Sequence, residues 1–146
     1  MSHLTIGAVS IRDLAALETA AKELGGVFVA NQKTYRWYGR RVQDTPLPVG
    51  VKEADLGKCA HVIKLNGAEY DIGVVQQKDG SFRLMMDYWG PGQKLCQQFG
   101  RGKDNLDKLM QSYSRHATIN AARKAGYFVR SKTTATGAIK MELVRA

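Results

Sequence analysis

The run Tyr35-Arg36-Trp37-Tyr38-Gly39-Arg40-Arg41 alternates aromatic planes with guanidinium groups. That mixture suits a nucleic-acid surface, where arginines neutralise phosphates and rings stack on unpaired bases at about 1–3 kcal/mol per base. A plainer explanation stands beside it: Tyr35 and Trp37 face a core, while Arg36, Arg40 and Arg41 are solvated edge residues that discourage strand aggregation. Further cations gather in two places. Lys94, Arg101 and Lys103 precede a long helical stretch, and Arg123, Lys124, Arg130 and Lys132 surround the last helix–strand joint. Arg123 and Lys124 also suit a helix C-terminus, where the macrodipole is negative. The chain has 22 Lys and Arg against 13 Asp and Glu, a formal charge of +9, which attracts polyanions such as nucleic acid or an acidic protein surface.

Catalytic and metal chemistry find less support. His116 follows Tyr113 by three residues and Leu109 by seven, which places it at a core edge with a hydrogen-bond partner rather than in a reactive site. Cys59 and His61 share one strand face, but no second close pair accompanies them to complete a metal site. The two cysteines, Cys59 and Cys96, form no disulfide framework and fit a reducing cytoplasm. The chain contains no GxSxG elbow, P-loop or GxGxxG run, and Gly90-Pro91-Gly92 lacks the Lys-Ser/Thr that cradles a phosphate. Asp71, Asp79 and Asp87 read as turn formers and solvated strand ends. No catalytic residue, cofactor or metal is therefore assigned.

The elements that must position these groups follow from periodicity. A strand over residues 3–9 leads to a helix over residues 11–24, with Ser10 and Asp13 as its capping pair and Leu14, Leu17, Ala21 and Leu24 on one face. Gly25-Gly26 ends it before a strand at Val27, and a second short strand spans residues 34–38. Residues 39–58 show neither period and read as a long surface loop, a common place for contacts. Asn66-Gly67 and Asp79-Gly80 then punctuate a meander of three strands, over residues 60–65, 68–76 and 81–88. Phe82, Leu84, Met86 and Tyr88 share its core face, Arg83 and Asp87 the opposite one, so one face of the sheet is expected to be wet. After an irregular basic stretch, Asp104 caps a helix reaching residue 125. A closing hairpin over residues 127–132 and 138–145 carries Ile139, Met141 and Leu143 inward.

At 146 residues and 44% hydrophobic, the chain is the size and composition of one domain, residues 1–146. The fold class is α+β, two helices packed on a largely antiparallel sheet. Residues 21–29 echo residues 121–129, each a helix, a glycine stop and a strand; this joint is common enough to recur by chance, and otherwise implies two helix-plus-hairpin units on a shared sheet. No apolar run is long enough for a membrane span, and residues 1–4 lack the features of a signal peptide, so a cytoplasmic protein without membrane contact is expected.

The words Tyr70-Asp71-Ile72-Gly73, Asp79-Gly80-Ser81-Phe82 and Asp87-Tyr88-Trp89 are followed by the run from Gln111 through Tyr113, His116 and Ile119, and then by Ala125-Gly126-Tyr127. This order, with Met1-Ser2-His3-Leu4 and Ile11-Arg12-Asp13-Leu14, resembles an uncharacterised family of small proteins known only as a domain of unknown function. Its members are hypothetical plastid and cyanobacterial reading frames and bacteriophage proteins. The resemblance carries over no activity, cofactor or catalytic residue. The frequent encoding of members near a AAA-type ATPase implies an accessory or adaptor role, and the phage members imply action on host machinery.

The expected function is a non-enzymatic binding or accessory protein whose basic, aromatic surface engages nucleic acid or a nucleic-acid-processing machine. A protein–protein adaptor or inhibitor of a host or AAA-type ATPase complex, using residues 39–58, is the first alternative. A small enzyme centred on His116 is the second.

Overall fold

The computed structural model describes residues 4–7, 9–40, 47–48, 50–100 and 106–145. Among these residues seven strands and three α-helices follow one another as β1 (Leu4–Ile6), α1 (Leu14–Glu23), β2 (Gly26–Val29), β3 (His61–Leu65), β4 (Ile72–Gln76), β5 (Phe82–Asp87), α2 (Gln93–Phe99), α3 (Asp107–Lys124), β6 (Tyr127–Thr133) and β7 (Ile139–Arg145). Strands β1 to β5 form one antiparallel sheet in the order β1-β5-β4-β3-β2, and among the described residues β6 pairs only with β7. The class is α+β.

Strict alternation sorts the sheet into two faces. Ile63, Ile72, Val74, Leu84 and Met86 point to the helices and join Leu17, Ala20 and Ala21 of α1, Leu95 and Phe99 of α2, and Leu109 and Tyr113 of α3 in the main core. The opposite face is not wet, as alternation alone implied. Val62 and Met85 are buried there beneath Tyr35, with Trp37, Val51, Leu56, Cys59 and Val75 packed around them. The cover comes largely from the chain between β2 and β3, of which the sequence pattern presents residues 34–38 as a strand and residues 39–58 as a surface loop.

Helix α1 begins at Leu14, three residues later than expected, because Asp13 is itself the N-cap and its side chain accepts the Ala16 N–H. Helix α2 replaces the irregular stretch expected after Gly90. A short 3-10 turn with Pro91 at its start feeds straight into it, and Leu95, Cys96 and Phe99 bury one stripe despite the polar residues between them. The N-cap expected at Asp104 lies outside the described residues, and no strand forms over residues 34–38, where Thr34 makes only an isolated bridge to Lys58.

Both long helices end on a glycine in the left-handed region, Gly25 at φ 85° and Gly126 at φ 87°, each leading directly into a strand. The echo between them ends there: β2 joins the large sheet, while β6 and β7 form a separate hairpin that, among the described residues, packs chiefly against α3.

Candidate nucleic-acid interface

The segment 33–38 crosses the outer sheet face from β3 towards the end of β5. At its start the Tyr35 N–H donates to the Gly57 carbonyl at 3.0 Å, and the Cys59 N–H donates to the Lys33 carbonyl at 2.9 Å. The Tyr35 ring then packs on β4 against Gly73, where an added Cβ would sit 2.4 Å from a ring carbon. Only glycine permits that approach. Tyr35 is therefore core, with its hydroxyl pushed up to about 12 by burial.

Two buried carboxylates fix the rest of the segment. Asp71, fully buried, accepts the Arg36 backbone N–H at 2.9 Å and its guanidinium Nη2 at 2.8 Å and Nε at 3.1 Å, and returns its own N–H to the Arg36 carbonyl at 3.0 Å. Arg36 Nη2 also donates to the Ala68 carbonyl, and Lys64 Nζ stands 3.8 Å from Asp71. Asp87, also fully buried, accepts the Tyr38 N–H on one carboxylate oxygen and the Trp89 N–H on the other, both at 3.2 Å. A buried carboxylate is costly unless hydrogen-bonded, and here two of its bonds go to the backbones of two exposed aromatics, Tyr38 at 37% and Trp89 at 44% exposure. Both backbones therefore hang from one carboxylate. The Arg40 guanidinium carbon lies 5.6 Å from the Tyr38 ring centroid, a cation–π distance.

The sequence motif thus divides by position. Tyr35 and Trp37 turn inward, Trp37 packing on Gly57; Arg36 is bound to Asp71; Tyr38 and Arg40 face outward. Arg41, Arg101 and Lys103 lie outside the described residues. Lys94 donates to the Gly67 carbonyl at 3.0 Å, across the β3–β4 turn, while Arg130 and Lys132 are exposed on the β6–β7 hairpin. Trp89 was not among the expected site residues. Its one signal was the adjacent Asp87, whose role is visible only when residues 38 and 89 meet.

The other candidates have structural partners. Cys59 Sγ donates to the Gln32 carbonyl, and burial pushes its thiol up to about 11, away from nucleophilic thiolate. His61 Nδ1 accepts the Asn31 N–H at 2.9 Å. Among the described residues no His/Cys/Asp/Glu group could hold a metal ion, and no helix is long and apolar enough to cross a membrane. A cleft of about 800 Å³ on the outer face is lined by Val51, Val75, Met85, Lys33, Lys58 and Lys78 among others, and His116 is not part of it.

Instead, His116 Nε2 and Ser112 Oγ both hydrogen-bond one oxygen of Glu23, at 2.8 and 2.6 Å. The serine proton therefore points at the carboxylate, not at the imidazole, so the trio lacks the nucleophile–base bond of a hydrolase. It clamps α3 to the end of α1, as Asn120 and Tyr113 clamp its start: Asn120 donates to the Asp13 carboxylate, and the Tyr113 hydroxyl accepts the Arg12 and Asp13 N–H groups.

Ser112 and then His116 hold Glu23 below its ordinary 4.5, and the Ala16 N–H chiefly holds Asp13 below its ordinary 3.8. A lowered folded-state value stabilises above the unfolded value and is lost as pH falls through the folded one. The melting temperature should therefore drop on acidification below about pH 4.5, and Glu23→Gln should flatten that drop. An unaltered pH profile in the variant would show that the clamp contributes nothing.

No curated protein and no solved structure matches the chain. The family model described as "Protein of unknown function (DUF1257)" matches residues 23–142, a span that takes in the segment 33–38, both buried aspartates and most of the hairpin, and the chain belongs to that family.

Proposed function

We propose that this chain is a non-enzymatic binding protein that takes single-stranded nucleic acid on the Tyr38–Trp89 shelf. The observation that carries it is the suspension of the Tyr38 and Trp89 backbones from the two oxygens of buried Asp87. Their backbones are set in advance, so little ordering opposes stacking of bases on them. Arg40 beside the shelf and the formal charge of +9 supply phosphate attraction.

The test is fluorescence anisotropy with a labelled single-stranded oligonucleotide over a salt series. Tyr38→Ala and Trp89→Ala should each weaken binding about tenfold, within the 1–3 kcal/mol of a stacked base, with the melting temperature nearly unchanged because both side chains are exposed. Wild-type protein that fails to bind, or binding that both variants retain, would overturn the proposal. The remaining reading would then be a protein adaptor, for which β2 offers the surface: it pairs only with β3 among the described residues, and its Val27 is 56% exposed.

A further inference from the structure

Among the described residues the β6–β7 hairpin is a two-stranded ribbon outside the large sheet, with seven residues in each strand and therefore about 23 Å long. Register divides its side chains into two faces. Phe128, Arg130 and Lys132 stand opposite Val144, Glu142 and Lys140, and Val129 and Thr133 stand opposite Leu143 and Ile139 on the other side. The first face is cationic towards the tip. Lys132 lies directly across from Lys140, a like-charge arrangement that destabilises an isolated ribbon. Arg130, one same-face step nearer the base, faces the single acid Glu142, yet among the described residues none of these three cations is held in an ion pair. Together with Met141 and Glu142 they line a concavity of about 370 Å³. The turn beyond them is uncharged and rich in hydroxyls: Thr134 Oγ1 is 3.0 Å from Thr136 Oγ1 and accepts the Ala138 N–H at 3.1 Å.

We propose that this ribbon is an arm that binds duplex nucleic acid, laying Arg130, Lys132 and Lys140 against phosphates with its hydroxyl-bearing tip in the major groove. Charge complementarity selects the occupant. An unneutralised lysine pair costs the free protein stability and is relieved by a polyanion, whereas a second copy of this chain, itself at +9, adds repulsion. Shape selects the duplex form, since a two-stranded ribbon is one of the elements a major groove of about 12 Å admits. An unpaired strand calls for a row of stacking rings, and the cationic face has only Phe128, at its base and 61% exposed. The arm adds a second form of nucleic acid to the one proposed for the shelf, and its test is independent of the shelf.

Blunt duplex and single-stranded probes of equal length, titrated from about 50 to 200 mM salt, separate the outcomes. In the Arg130→Ala, Lys132→Ala, Lys140→Ala variant, duplex affinity should fall at least tenfold and the log–log salt slope should shrink by about three, one per lost phosphate contact. Single-strand affinity should stay within about twofold, since the stacking shelf is untouched. The melting temperature should hold or rise because the lysine repulsion is gone. Duplex binding absent in the wild type, or kept by the variant, overturns the arm. An equal loss on both probes overturns its assignment to duplex. Failure of wild-type protein to bind the single strand removes the shelf and leaves the duplex result standing.

Discussion

Replacing Arg36 with alanine should destabilise the protein by about 2–3 kcal/mol, a drop on the order of 10 °C in melting temperature, even though its side chain is 52% exposed. The damage falls on the partner. Asp71 has no exposure at all, and without the guanidinium its carboxylate keeps only the Arg36 backbone N–H and Lys64 at 3.8 Å. Removing one partner of a buried pair strands the other charge, which costs about 3–5 kcal/mol in full burial; solvent around the half-exposed guanidinium places this case at or below the lower end. Pairing Arg36→Ala with Asp71→Asn should recover part of the loss, because a neutral amide can stay buried and still accept the Arg36 N–H. Arg40→Ala should do the reverse, leaving the melting temperature unchanged while weakening nucleic-acid binding. Thermal unfolding of the four proteins checks this, and a wild-type melting curve for Arg36→Ala would refute the anchoring role of the pair.

Asp87→Ala should have the second large effect, and on two readouts together. It orphans the N–H groups of Tyr38 and Trp89, at about 1–3 kcal/mol for each that stays dry. It also frees the two ends of the shelf to move independently, so single-strand affinity should fall as far as in the Tyr38→Ala, Trp89→Ala double variant although no exposed group has been removed. Asp87→Asn should lie between, because an amide offers one oxygen where the carboxylate offers two, and its NH₂ then meets a second donor. Circular dichroism at a temperature where the variant remains folded separates lost binding from lost fold. Unchanged affinity in folded Asp87→Ala protein would show that the shelf does not depend on its anchor.

Much of the architecture is local in origin and was therefore legible in the chain. Asp13 and the glycine stops at Gly25 and Gly126 bound their helices through neighbours within a few residues, and the Asn66-Gly67 and Asp79-Gly80 turns set the meander. Alternation along β5 correctly sent Leu84 and Met86 one way and Asp87 the other. Period cannot say what covers a face. The cover over Val62 and Met85 comes from residues remote in the chain, and its arrival turned Asp71 and Asp87 from expected solvated ends into buried acceptors. Helix α2 is illegible in the pattern for a related reason, since its buried stripe of Leu95, Cys96 and Phe99 is short and interrupted by polar residues.

The aromatic and cationic residues from Tyr35 to Arg40 were marked for binding by type and spacing, and the sequence by itself determined that such groups would be present, together with an excess of positive charge to draw a polyanion. Which of them face outward was decided only in three dimensions. A hydrogen bond between residues 38 and 87, or 36 and 71, has no signature in either stretch alone, because each partner satisfies the other only after the sheet has brought them together. Tertiary structure thus made Tyr35 and Arg36 part of the foundation, left Tyr38 and Arg40 on the surface, and added Trp89 through the carboxylate it shares with Tyr38.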